Sequence, residues 1–402
     1  MSLITAFHQV ALGDCCKIVS GSTPSRIVPV YWNGNINWFT PKDLSGIKSK
    51  YVSEAPEKIT QLGLESCSTT ILPPKSLLLS SRAPIGHLAI NLLPTCTNQG
   101  FKSLIPNSKL EIEYLYYAIK NIVPQLQDMG NGATFKEISK AILSKVKIPL
   151  PPLAEQQKIA AILDAADNLR QKDQQLVERY TALSQSLFLE MFGDPVTNPM
   201  GWSIRKLKDI CVKVTDGTHH SPDSVEKGIP YVTAKHVKDY GLDFEAKATY
   251  ISQQDHNEIY KRCNPEFGDI LYIKDGATTG IACINTFRTP ISLLSSLALL
   301  KLNYSTINSY FLCYWLNNKC IKEKLIKEYM SGAAIQRYTL AKINMFALML
   351  PPITLQNQFA ERIQLIEAQK QQAQLSLAKS EALFNSLLQR AFTGELTAKL
   401  VA

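Results

Sequence analysis

The 42 residues from Pro151 to Phe192, PPLAEQQKIAAILDAADNLRQKDQQLVERYTALSQSLFLEMF, occur twice in this chain. A shift of 200 residues gives Pro351 to Phe392, PPITLQNQFAERIQLIEAQKQQAQLSLAKSEALFNSLLQRAF, and 11 of the 42 paired positions are identical without a gap. The identities include both prolines, Gln156/Gln356, Ala160/Ala360 and Phe192/Phe392. Each copy reads as a helix: Ala, Leu, Gln, Glu and Lys dominate, and Pro and Gly are missing from the interior. Pro152 and Pro352 suit a first turn, where no backbone donor is needed. Gly193 and Gly394 supply stops at or just past the far ends. A helix of this length runs about 60 Å, too long for one small globule.

The apolar spacing says what such helices pack on. Ile162, Ala166, Leu169, Asp173, Leu176, Tyr180, Leu183 and Leu187 form a heptad seam with one polar interruption. In the second copy the seam is Phe359, Ile363, Ile366, Lys370, Ala373, Leu377, Ser380, Phe384, Leu387 and Ala391. Paired antiparallel about their midpoints, the helices would bring Asp173 and Lys370 together, a polar layer that fixes register at some cost in stability. The alternative is two separate amphipathic helices, each lying on its own domain.

The net charge of +9 is unevenly spread: residues 1–150 carry +6 and 194–350 carry +4, against −2 for 151–193 and +1 for 351–402. Positive potential therefore belongs to the segments between the helices, which favours a polyanionic partner. Nine cysteines without CxxC spacing read as reduced thiols of a cytoplasmic protein, not a disulfide framework or zinc site. No Lys or Arg precedes Lys17, so the start lacks a signal-peptide basic region. The longest apolar run, near Ile291 to Leu300, is too short for a bilayer, and no membrane partner is expected.

The two segments follow one plan. In the first, Lys17 to Ser20 reads as a strand entering the loop Gly21-Ser22-Thr23-Pro24-Ser25-Arg26. Trp32 to Leu44 is a β-rich run ending in a Pro-Lys-Asp loop, Leu77 to Ser81 a buried strand, Leu110 to Val123 a helix, and Gly130 to Lys136 a polar loop. In the second, Asp216 to His219 answers Ser20 to Thr23, and Ile229 to Val237 overlies Ile36 to Leu44 at a shift of 193. Asp269 to Tyr272 overlies Ser76 to Leu79 at that shift, and Ser331 to Ala334 answers Asn131 to Thr134. The expected architecture is a tandem duplication of mixed α/β class: domain 1–150, long helix 151–193, domain 194–350, long helix 351–402.

Two similar domains related by an approximate two-fold axis match the symmetry of a duplex, with the helices as a ruler between two short read segments. Direct readout needs Arg, Lys, Asn, Gln or His on loops, with other basic and hydroxyl groups holding phosphate. The candidates are Thr23, Arg26, Lys42, Arg82, Gln99 and Lys136 in the first domain. In the second they are Thr218, His219, His220, Lys235, His236, Lys274, Arg337 and Tyr338. The three nearby histidines lack a carboxylate or Cys at metal-ligand spacing. Asp43 and Asp275, in matching basic loops, either accept from a cytosine amino group or cap a turn.

At these residues the chain resembles the specificity subunit of type I restriction-modification systems. The resemblance rests on L-G-D…SGSTPSR, YWNGNINWFTPKDL, SSRAPIG, TNQGFKSLIP, GNGATFKEISK and the PPLAEQQKIAAILDAAD helix with its C-terminal repeat. It implies two target-recognition domains, each reading half of a bipartite site in double-stranded DNA, on paired helices that set the spacing. It also implies two modification (methyltransferase) subunits docked on those helices, which support restriction subunits with ATP-dependent translocase and endonuclease activity. S-adenosylmethionine, ATP and Mg²⁺ would belong to those partners, with no cofactor in this chain. The second copy departs from the pattern, with Leu355-Gln356-Asn357-Gln358 in place of E-Q-x and Thr218-His219-His220 where the first domain has Ser22-Thr23-Pro24. No methyltransferase tetrapeptide or Gly-Lys-Ser/Thr phosphate loop is present. Two other readings are a Mg²⁺-dependent nuclease built on Pro222-Asp223 and Glu245-Ala246-Lys247, and a coiled-coil scaffold that binds no DNA.

Overall fold

The computed structural model describes residues 7–130, 136–238, 241–330 and 337–396. The chain forms two α/β units on a pair of long helices. One unit comprises Met1–Gln175 with Ala373–Ala402 and the other Leu176–Gln372. Both long helices, Leu153–Phe192 and Ile353–Ala391, therefore contribute a segment to each unit.

In the first unit a five-stranded sheet runs in the order Cys16–Ser20, Lys102–Pro106, Leu77–Ser81, Ile85–Asn91, Tyr51–Val52. All pairs are antiparallel except the last. Strand alternation sends successive side chains to opposite faces. Leu77 and Leu79 join Tyr114, Leu115 and Ile119 of the helix Ile112–Asp128, whereas Leu78 turns to Phe39, Leu44 and Phe101. The sheet is buried on both sides. A second sheet of Glu57–Ile59, Trp32–Phe39 and Thr95–Thr97 adjoins it.

The second unit repeats this with four antiparallel strands, Cys211–Asp216, Leu297–Leu302, Ile270–Ile273 and Ala282–Ile284. Ile270 and Tyr272 pack on Phe311, Leu312 and Trp315 of the helix Ser309–Asn317, while Leu271 and Ile273 face Val232 and Phe244.

Each long helix is tied to its unit by the same buried amide. Gln156 is fully buried; its Oε1 accepts from Glu111 N at 2.9 Å, and Nε2 donates to Lys109 O and Pro151 O at 2.9 and 2.8 Å. Gln356, also fully buried, accepts from Asn308 N at 2.9 Å and donates to Thr306 O and Pro351 O at 3.2 and 2.8 Å. Carboxylates on the long helices add further ties. Asp164 takes Tyr117 OH at 2.6 Å and Lys50 Nζ at 2.5 Å, and Glu367 takes Tyr314 OH.

Within each unit the two helix segments run antiparallel. In the first, Ala391 clusters with Ile159 and Leu163, while Arg170 lies over the Phe384 ring and Ser376 donates to Asp173. In the second, Phe188 and Phe192 meet Phe359, and Ser184 donates to Glu367. The expected seam of the second helix matches its burial at every position from Phe359 to Ala391. The seam expected for the first helix holds in part: Ala166 is buried, and Ile162, Asp173, Tyr180 and Leu187 are half-buried. Leu169, Leu176 and Leu183 are 45%, 40% and 49% exposed, and the buried stripe is Gln156, Ile159, Ala160, Leu163, Ala166, Asp167, Ser184, Phe188 and Phe192. Within the first unit Asp173 accepts from Ser376 Oγ at 3.1 Å, and within the second Lys370 lies 3.7 Å from Glu367. Glu367 is one turn from Lys370 on the same helix, so a helical i,i+3 pair takes its charge.

Gln156→Ala strands two carbonyls and an N–H in the interior. It is expected to lower unfolding free energy by about 3 kcal/mol, read by chemical denaturation. A loss below about 1 kcal/mol would show that the tie is dispensable.

Candidate nucleic-acid interface

Antiparallel register decides which loops share an end of each central sheet. In the first unit Cys16–Ser20 ends, Lys102–Pro106 begins and Leu77–Ser81 ends on one side, with Ser20 paired to Lys102 and Ser81 N bonded to Gly100 O. The loops holding Thr23, Gln99 and Arg82 therefore emerge together. Ser22 N bonds Thr97 O and Asn98 N bonds Phe39 O, which brings in the Thr40-Pro41-Lys42 turn. In the second unit Asp216 pairs with Ala298, and Lys274 N bonds Ser296 O, so Asp216 to His220 and Lys274-Asp275 share the equivalent end.

All six first-unit candidates have definite surroundings or an exposed placement. Thr23 Oγ1 donates to Gln99 Oε1 at 2.5 Å. Arg26 makes a two-pronged bond to Glu57 at 2.5 and 2.8 Å and stacks 3.9 Å from the Trp32 ring centroid. That guanidinium holds the Glu57 carboxyl below its ordinary range. Lys42 and Lys136 are exposed. The sixth, Arg82, lies 3.7 Å from Glu137, which also holds the buried Lys102 Nζ at 3.1 Å. Asp43 caps its turn, accepting from Thr40 N and Oγ1 at 2.7 and 2.8 Å. Residues 131–135 and 331–336 of the two polar loops lie outside the described residues.

In the second unit a cleft of about 380 Å³ is lined by Thr218, His219, His220, Glu258, Ile259 and Arg262. Thr218 Oγ1 lies 2.9 Å from His220 Nδ1. Beneath it sits the buried Asp216 carboxylate, with His219 Nε2 at 3.4 Å, Arg262 Nη2 at 2.9 Å and Lys274 Nζ at 3.5 Å. Arg262 also donates to the main-chain carbonyls of Asp216 and Gly217. Lys235 is exposed at its backbone turn and donates to Thr249 Oγ1 at 2.7 Å, and Arg337 is exposed opposite Asp275.

Two candidates are corrected. His236 is fully buried, with Nδ1 accepting from Thr233 N at 3.0 Å and Nε2 against Lys247 O at 2.9 Å, so neither ring nitrogen is left for a base. Tyr338 is a core ring between Tyr272 and Phe346. The sequence reading missed Glu137, Lys102, Asp216 and Arg262. Asp216 sat inside a matched motif; Arg262 lies on the helix Gln253–Arg262 with no motif around it.

No group of three or more His, Cys, Asp or Glu side chains able to hold a metal occurs among the described residues. Nor does any described helix have the length and apolarity to cross a membrane. Paired α/β domains with polar, cation-bearing loops on a repeated helix scaffold define a DNA-recognition module. A family model described as Type I restriction modification DNA specificity domain matches residues 6–179 and 199–376, and the chain belongs to that family. Its role is sequence-specific DNA recognition. The chain is 29% identical over 411 residues to the type I restriction enzyme MjaIX specificity subunit of Methanocaldococcus jannaschii, covering 95% of this chain and 92% of that one. It is 24% identical over 416 residues to the MjaVIII specificity subunit of the same organism, covering 98% and 93%. The fold is similar to the crystal structure of a type I restriction-modification S subunit from M. genitalium, with a TM-score of 0.62, 16% identity and 98% of each chain covered.

Burial holds the His236 pKa below its ordinary 6.5. Below pH 6.5 the unfolded chain then binds the proton more tightly than the folded one. The stabilisation is complete above that pH and is lost as pH falls toward the folded value. His236→Asn should flatten this part of the stability-against-pH curve between pH 7 and 5; an unchanged slope would assign the titration elsewhere.

Proposed function

We propose that each unit reads one half of a bipartite DNA site, with target-recognition domains over residues 1–150 and 194–350. The long helices, 151–193 and 351–402, hold the spacing. The observation that carries this reading is the convergence, in both units, of polar and cationic loops at one end of the central sheet. In the first unit Thr23, Gln99, Arg26, Arg82, Lys42 and Lys136 are the contact residues. In the second they are Thr218, His219, His220, Lys235, Lys274 and Arg337, with Arg262 added. Gln99 and the histidines suit base edges, whereas Lys and the remaining Arg suit phosphate.

The partners in this reading are double-stranded DNA and two modification (methyltransferase) subunits, which carry restriction subunits in turn. S-adenosylmethionine, ATP and Mg²⁺ belong to those subunits. The heptad-spaced Leu169, Leu176 and Leu183 support helix docking, because they are exposed on a helix whose other face is already covered. The protein works in the cytoplasm, where its partners meet DNA.

Selection from a randomised duplex library by the chain assembled with a modification subunit tests the reading. Two fixed half-sites at one spacing are expected; enrichment of no motif would refute it. Gln99→Ala should relax preference at one base position of one half-site by about tenfold, measured by competition binding, and leave the other half-site unchanged.

A further inference from the structure

In each unit one carboxylate near the shared sheet end holds two cations, and the two units do so with non-equivalent residues. In the first, Glu137 holds Lys102 and Arg82 at 3.1 and 3.7 Å. In the second, Asp216 lies 2.9 Å from Arg262 and 3.5 Å from Lys274, with the His219 ring alongside at 3.4 Å, and Lys274 is also 3.4 Å from Asp275. The repeat places Arg337 where the first unit has Glu137, and the strand register places Ser20 where the second has Asp216. The buried lysine also changes strand, from Lys102 to Lys274, and each is only 8% exposed. The same charge pattern is thus assembled at the same end of both sheets from different positions.

Burial alone accounts for part of the pattern, since a lysine out of water needs a counter-charge. It does not account for the exposed members. The side chains of Arg82 and Arg262 are 36% and 52% exposed, and water solvates them without help. Drawing them onto a carboxylate withholds them from phosphate.

We infer that Glu137 and Asp216 are specificity-determining positioning residues, each restraining the cations of its own unit so that phosphate alone cannot capture them. The inference rests on the half-site reading above. Random duplex offers these cations only phosphate, which must compete with the carboxylate. A cognate half-site adds base contacts that make up the difference. Discrimination then comes partly from weakening the wrong complex.

The test uses the full chain assembled with its modification subunit, as wild type and as Glu137→Gln, Asp216→Asn and Asp216→Glu. Probes are the selected duplex, duplexes with either half-site scrambled, and random duplex, each over a salt series. Both amide variants should bind random duplex several-fold more tightly, with a salt slope steeper by about 0.9 for each cation newly placed on phosphate. Preference for the selected over the scrambled duplex should fall about tenfold, at one half-site for Glu137→Gln and at the other for Asp216→Asn. Asp216→Glu should restore it. A residue that merely supports the fold would instead weaken binding to every probe when removed. Random-duplex affinity and salt slope equal to wild type, or loss at both half-sites alike, overturns the inference. Wild type failing to select two half-sites sinks the underlying reading instead. If Asp216→Asn unfolds its unit on thermal melting, Glu137→Gln, at a partly exposed side chain, decides by the same readouts.

Discussion

Two glutamine side chains hold the scaffold to its domains. Gln156 and Gln356 are each fully buried, and each satisfies three main-chain groups: the N–H that opens the domain's principal helix, a carbonyl two residues before it, and the carbonyl of the first proline at the Pro-Pro entry to the long helix. Both N–H donors of each amide are spent, so no alternative rotamer keeps the set. The principal helix covers one face of the central sheet, and the sheet's register sets where the reading loops emerge. Displacing the amide would therefore move the loops relative to the long helix. Binding by such loops depends on that rigidity, because base-edge hydrogen bonds tolerate little displacement.

Much of this was legible in the sequence. The repeat located both helices, the apolar run of Leu77 to Ser81 read as a buried strand, and Asp269 to Tyr272 overlay its counterpart at a shift of 193. The seam of the second helix was legible because its large residues, Phe359, Ile363 and Phe384, lie on the packed face. On the first helix the large residues mislead. Leu169, Leu176 and Leu183 form a heptad on the exposed face, and the packed stripe includes Gln156, Asp167 and Ser184. Carrying the second helix's seam back by 200 residues gives 159, 163, 166, 170, 173, 177, 180, 184, 187 and 191, all buried or half-buried. Internal symmetry was a better guide here than side-chain size.

The candidate site was legible by loop and less so by residue. His236 and Tyr338 carry the right chemistry for base contact but face inward, since a 3-10 turn points His236 at two backbone groups and Tyr338 completes a ring cluster. Asp216, Glu137 and Arg262 went unseen because carboxylates do not suggest affinity for a polyanion, and Arg262 reaches the loop from a separate helix. Side chains that meet only through tertiary structure leave no mark in local spacing. The two units share a scaffold and a charge pattern but differ in the groups presented: Thr23 with Gln99 in one, Thr218 with His220 in the other. A duplicated frame with different loop chemistry suits two unlike half-sites.

Two separate patches of base contact, joined by a stretch that is spanned and not read, are what the proposed half-site recognition requires. Missing-base interference on the selected duplex, with the assembled complex, measures this at single-nucleotide resolution. Base removal should weaken binding within two tracts and be tolerated at every position between them. One uninterrupted tract of sensitivity, or no dependence on position, would contradict it.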